Sequence, residues 1–146
     1  MRAGEAAMPI PMEYQHASDD FERFLAIAGA RAGLTTRNQT WTMVDGVFRV
    51  FRRRLSVAEV LRFAAVLPPV LRAMFVVDWD VEAVPVPFGD RVAATEEVRG
   101  LRVHHNFAPD TAITDVAAAL RGVVDEAAFD RVLAGLPVGA AAFWAV

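Results

Sequence analysis

A chain of 146 residues is the size of one domain, long enough to bury roughly two-thirds of its unfolded surface. Its hydrophobic content is 55%, yet no apolar run reaches the roughly 18–20 residues of a membrane span. Met1 to Pro11 lack the basic and apolar regions of an export signal, and zero cysteines exclude disulfides and thiolate metal sites. The expectation is a soluble, cytoplasmic protein with no membrane partner.

Net charge is −3, and all fifteen basic residues are Arg. The planar guanidinium fork suits phosphate and carboxylate recognition, while the accompanying abundance of Ala, Val and Gly also fits a plain compositional bias. Residues 1–75 carry a net +3 and residues 76–146 a net −6. Halves of opposite sign attract one another, within the domain or between two copies.

Residues 1–17 read as a disordered tail, with small residues and the Pro9-Ile10-Pro11 run. The helical domain spans 18–146. A first helix opens at Ser18, whose hydroxyl can accept an orphan backbone N–H, and its apolar positions Phe21, Phe24, Leu25, Ala28 and Ala32 recur at helical spacing. Gly33 suits the left-handed terminating residue. Thr36 with Gln39 forms a capping box for a second helix, with Trp41, Val44, Phe48, Phe51 and Leu55 as its inward stripe and Asp45, Arg49, Arg52 and Arg53 away from it. Ser56 with Glu59 caps a third, with Val57, Val60, Leu61 and Ala64 inward, and Pro68-Pro69 separate it from a fourth over Pro69–Val76.

Asp78 to Asp90 combines two prolines, Gly89 and acids into a linker. A fifth helix follows from about Asp90 to Arg102. Pro109 starts a sixth with Ile113, Val116, Ala117, Leu120 and Val124 inward. Asp125 caps a seventh with Phe129, Val132, Leu133 and Leu136 inward, and Pro137 starts a short last helix ending at Phe143 and Trp144. Shifting the chain by 69 residues lays Thr42–Phe75 over Thr111–Trp144 without a gap, with 9 of 34 positions identical, among them Arg52/Arg121, Arg62/Arg131, Leu67/Leu136 and Pro68/Pro137. The caps Ser56 and Asp125 are partners in the same register. The fold class read from this is all-α: a single domain of two repeated four-helix units, about eight helices, with repeats of about 18–77 and 90–146.

The order of residues resembles a bacterial family catalogued as domain of unknown function 2267. The resemblance rests on Arg31-Ala32-Gly33-Leu34, Arg54-Leu55-Ser56, Leu67-Pro68, Trp79-Asp80 and Pro87-Phe88. In the second half it rests on His105-Asn106-Phe107 with Pro109, Asp115-Val116-Ala117, Val124-Asp125, Leu136-Pro137 and Phe143-Trp144. It covers about residues 18 to 145 and implies a duplicated helical protein, with no catalytic residues to carry over.

Four groups of residues are candidates for function. His104 and His105 with Asp110 offer two imidazoles and a carboxylate to a divalent ion, but no HxxxH or HxxE spacing accompanies them, and a loop His more often caps a carbonyl. Asp78, Trp79, Asp80 and Glu82 lack the turn glycine and bidentate Glu of a calcium loop and read as a solvated surface. Arg49, Arg52, Arg53 and Arg54, with Arg62 and Arg72, form a basic stretch. With a pI near 5.6 and no interleaved exposed aromatics, nucleic acid is a disfavoured partner, and contacts to the acidic half fit better. The aromatics Phe21, Phe24, Trp41, Phe48, Phe51, Phe63 and Phe75 read as core, whereas Phe143 and Trp144, unless folded back into the core, are an apolar interaction patch.

No catalytic set and no cofactor is expected. The reading is a non-catalytic protein-interaction or regulatory module, with Phe143, Trp144, Arg49, Arg52 and Arg53 as interaction residues and a homodimer as one form of it. The alternative is a small-molecule or metal-binding protein, an enzyme among the options, using the aromatic interior or the His104-His105 loop.

Overall fold

The computed structural model describes residues 9–102 and 107–146. His104 and His105 therefore lie outside the described residues, as do the first eight residues of the tail. The described residues hold nine helices and no strand. They are α1 (Met12–Gln15), α2 (Ala17–Ala32), α3 (Arg37–Arg52), α4 (Val57–Ala64), α5 (Pro69–Val76), α6 (Arg91–Gly100), α7 (Ala112–Arg121), α8 (Glu126–Ala134) and α9 (Ala140–Phe143).

The predicted starts of α3 and α4 hold in detail. Thr36 Oγ1 accepts the Gln39 amide at 3.1 Å while Gln39 Oε1 accepts that of Thr36 at 3.2 Å. Ser56 and Glu59 make the same reciprocal pair. Asp90 and Asp125 cap α6 and α8 by accepting from Ala93 and Ala128. Gly33 ends α2 in the left-handed conformation, with Leu34 N–H closing on the Gly29 carbonyl at 3.0 Å.

Other boundaries move. Within the stretch read as tail a short helix forms, Pro11 O accepting from Tyr14 and Gln15 to start α1. The first long helix begins at Ala17 after His16, without a side-chain cap, so Ser18 lies inside it. Pro109 forms a turn, its carbonyl accepting from Ala112, and α7 begins only there. α9 starts at Ala140 after Gly139 and not at Pro137.

Central position explains the differences in burial. α3 packs against α2, α5, α6 and α7, so one apolar stripe cannot describe it. Its buried residues include Met43, Val47 and Val50, and also Asp45 and Arg52, both expected to face away. Trp41, expected inward, is partly exposed in the first turn. In α4 the buried face is Val60, Phe63 and Ala64, leaving Val57 and Leu61 on the solvent side.

The core joins early and late helices of the chain. The Phe51 ring has neighbours at Phe63 (4.7 Å between centroids), Phe88 (5.8 Å), Phe143 (5.0 Å) and Trp144 (5.2 Å). Trp144 also stacks on Phe63 at 5.7 Å and lies edge-on to Phe129 at 6.1 Å. Phe143 and Trp144 are thus folded back into the interior, with Trp144 fully buried. Leu67 and Leu136, partners in the 69-residue register, are both buried ahead of their prolines.

The linker is a strap fastened at two points. Val86 N–H donates to Arg53 O at 3.1 Å, and Phe88 packs against Phe51 and Phe143. Gly139 makes that seat: its φ is +106°, and a Cβ there would stand 2.6 Å from Phe88 Cβ, so conformation and space both require glycine.

Candidate functional site

Most arginines of the basic stretch are structural. Arg52 Nη1 donates to Phe75 O and Val77 O, both at 2.9 Å, satisfying carbonyls at the end of α5. Arg121, 69 residues further on, donates to Trp144 O, itself 69 residues on from Phe75. Arg72 holds Ala64 O and Leu67 O behind α4, and Arg91 Nη2 reaches Ala142 O, Phe143 O and Ala145 O, each at 2.7 Å. A guanidinium spreads several donors over one plane, so it can serve converging carbonyls where an ammonium offers a point charge.

Arg53 and Arg54 of the stretch meet the acidic half. Arg53 and Arg54 both reach Glu97 on α6 at 2.7 Å, and Arg31 lies 3.6 Å from Asp115. Burial alone would raise the Glu97 carboxyl, but hydrogen bonds from Arg54 and Arg53, with their charges, hold it below the usual carboxylate range. Opposite-signed segments attract within the molecule.

Arg49, Arg52 and Arg53 also line a cleft of about 330 Å³ between the end of α3, the Asp78–Ala83 loop and α6. Val50, Leu55 and Leu101 supply apolar wall, and Trp79 joins them from the loop. Arg49 Nε donates to Asp45 Oδ2 at 3.0 Å, whereas its Nη2 stands 3.7 Å from Asp78 Oδ2. Asp78 has a φ of +50°, alone among the described non-glycine residues in that region, and its side chain is 83% exposed. Burial, with Arg49 nearby, lowers the proton affinity of Arg52. Asp80 Oδ1 accepts from the Glu82 amide in a local turn.

A second concavity, about 490 Å³, runs between α4 and α8. Its floor is apolar, from Ala65, Val66, Ala128 and Val132, and its rim carries Arg62 and Arg131, the identical pair of the 69-residue register. Neither guanidinium has an ion-pair or hydrogen-bond partner among the described residues. Sequence reasoning passed over this groove, although the Arg62/Arg131 identity was its signal.

The metal candidates do not converge within what is described. Asp110 is exposed and bound to Arg99 Nη1 at 2.7 Å, and no group of three His, Cys, Asp or Glu suited to a metal occurs among the described residues. Nor is any described helix long and apolar enough to cross a membrane.

Fold and surface together define, for the described residues, a single all-helical domain closed on an aromatic core, with arginines lining several surface concavities. Residues 21–143 match the family model described as "Uncharacterized conserved protein (DUF2267)", and the chain belongs to that family. No curated protein matches it.

Proposed function

We propose that this protein is a non-catalytic interaction module that docks an acidic amphipathic helix of a partner protein in the groove between α4 and α8. The observation that carries the reading is the pairing of an apolar floor with two arginines that have no partner among the described residues, where twelve ion pairs between described residues engage much of the remaining charge. A helix laid in such a groove buries its apolar face on the floor and offers carboxylates to the rim. Packing of the aromatic interior ring on ring favours a binding role over an enzyme built on an apolar pocket. We further read the chain as a duplication. The Arg52–Phe75 and Arg121–Trp144 contacts support this, since they repeat at the sequence offset. Phe143 and Trp144 are buried, which speaks against them as a surface anchor for self-association.

A photo-crosslinking residue at Ala65, on the groove floor, tests the proposal in native cells. The expected product is a discrete adduct whose crosslinked segment is acidic and helical, lost in the Arg62→Glu/Arg131→Glu variant while that variant still folds. Adducts unchanged by the double reversal would overturn it.

A further inference from the structure

The cleft beside α3 is built differently from the groove, and its features concern a small molecule. We infer that it binds a small organic carboxylate, with the Asp78 side chain keeping that ligand's place in the free protein. The inner wall is tied to the fold by hydrogen bonds. Arg52 is buried, and both of its hydrogen bonds to the end of α5 go through Nη1, leaving Nε and Nη2 without an acceptor among the described residues. Arg49 stands beside it, braced from behind by Asp45. Two neighbouring guanidiniums at the mouth of a cleft repel each other, and an anion placed between them relieves that repulsion.

Four carboxylates lie near enough to compete, and three are committed. Asp45 is tied to Arg49 through Oδ2, its buried Oδ1 having no partner among the described residues, Glu97 to Arg53 and Arg54, and Asp80 to the amide of Glu82. Asp78 is the loose one, with a 3.7 Å approach to Arg49 and a mostly exposed side chain. It sits at the left-handed φ that Asp and Asn tolerate better than other non-glycine residues. The chain thus offers its own carboxylate to Arg49 through a weak, solvent-screened contact, and a ligand can displace it.

The remaining surface selects the body of the ligand. Trp79, Val50, Leu55 and Leu101 give an apolar wall next to the cationic pair. About 330 Å³ lies at the small end of ordinary ligand sites. An aryl or branched alkyl carboxylate satisfies both surfaces, with its charge on the arginines and its body against Trp79.

The test is an NMR titration of the full chain with sodium benzoate, with benzamide and phenyl phosphate as comparison probes. Saturable shifts at the Arg49 and Arg52 Nε–H and the Trp79 indole N–H are expected with benzoate, with none from benzamide. Asp78→Asn keeps the backbone conformation and removes the competing charge, so it should tighten benzoate by about two- to fivefold, the range an exposed ion pair supports. Arg49→Gln should abolish binding; because that change also strips Asp45 of its partner, the Asp78→Asn arm carries the test alone if the variant unfolds. Absence of saturation, equal binding of benzamide, or an Asp78→Asn affinity that is unchanged or weaker would each overturn the inference. Tighter binding of phenyl phosphate would overturn the carboxylate assignment. Arg62 and Arg131 should stay silent throughout, so neither result bears on the groove.

Discussion

Trp144 buries its whole side chain, yet its indole N–H finds no acceptor among the described residues. An unpaired buried donor costs roughly 1–3 kcal/mol, so the ring contributes through packing against Phe51, Phe63 and Phe129 despite that cost. Trp144→Phe gives up part of the packing and removes the orphan N–H, and should destabilise by less than about 1.5 kcal/mol. Trp144→Ala leaves a cavity where rings from early and late helices meet and should cost about 3–5 kcal/mol. Urea unfolding of the two variants measures the difference; equal losses would mean that the N–H is satisfied in solution.

Between elements, Glu97 joins α6 to the end of α3 through Arg53 and Arg54. Its carboxyl is held below the ordinary range when folded. The stabilisation is therefore fully present above the unfolded value, near ~4.3, and is lost as pH falls through the lower folded value. Glu97→Gln should cost about 1–2 kcal/mol at neutral pH and nothing in acid, so the stability–pH curves of the two proteins should converge on the acid side. A constant gap would show that shape, and not charge, carries the contact.

The elements also mark how far sequence reaches. Capping boxes at Thr36 and Ser56 are local chemistry within four residues, and both appear as read. The face of a helix is set by its neighbours, and α3 has them on several sides. No periodicity announces that Arg52 and Asp45 will be covered, and Leu61 is apolar yet 56% exposed because Phe63 takes the inward position of α4. Arginines that clamp distant carbonyls are invisible for the same reason, since Arg52 and Phe75 O are 23 residues apart.

For the whole molecule, the aromatic cluster sets cooperativity. Phe51 and Phe63 from the early helices and Phe129, Phe143 and Trp144 from the late ones occupy one interior, so neither half keeps its core without the other. The groove lies across that junction, formed by α4 from one half and α8 from the other. An occupant there touches both halves at once and adds to the stability of the assembled state alone.

The guanidinium–carbonyl clamps have a chemical consequence. With no lysine in the sequence, amine-directed reagents meet no side-chain amine, and arginine-directed reagents become the selective probe of its cationic side chains. Phenylglyoxal should therefore read out the architecture as a footprint. Arg62, Arg102 and Arg131, exposed and without described partners, should be derivatised first. Arg52, with its Nη1 held on two carbonyls, should react later than these, since phenylglyoxal needs both terminal nitrogens. Mass-spectrometric mapping gives the order directly, and early modification of Arg52 would show that its clamp opens on the timescale of labelling. A ligand seated in the groove would then announce itself as two missing adducts.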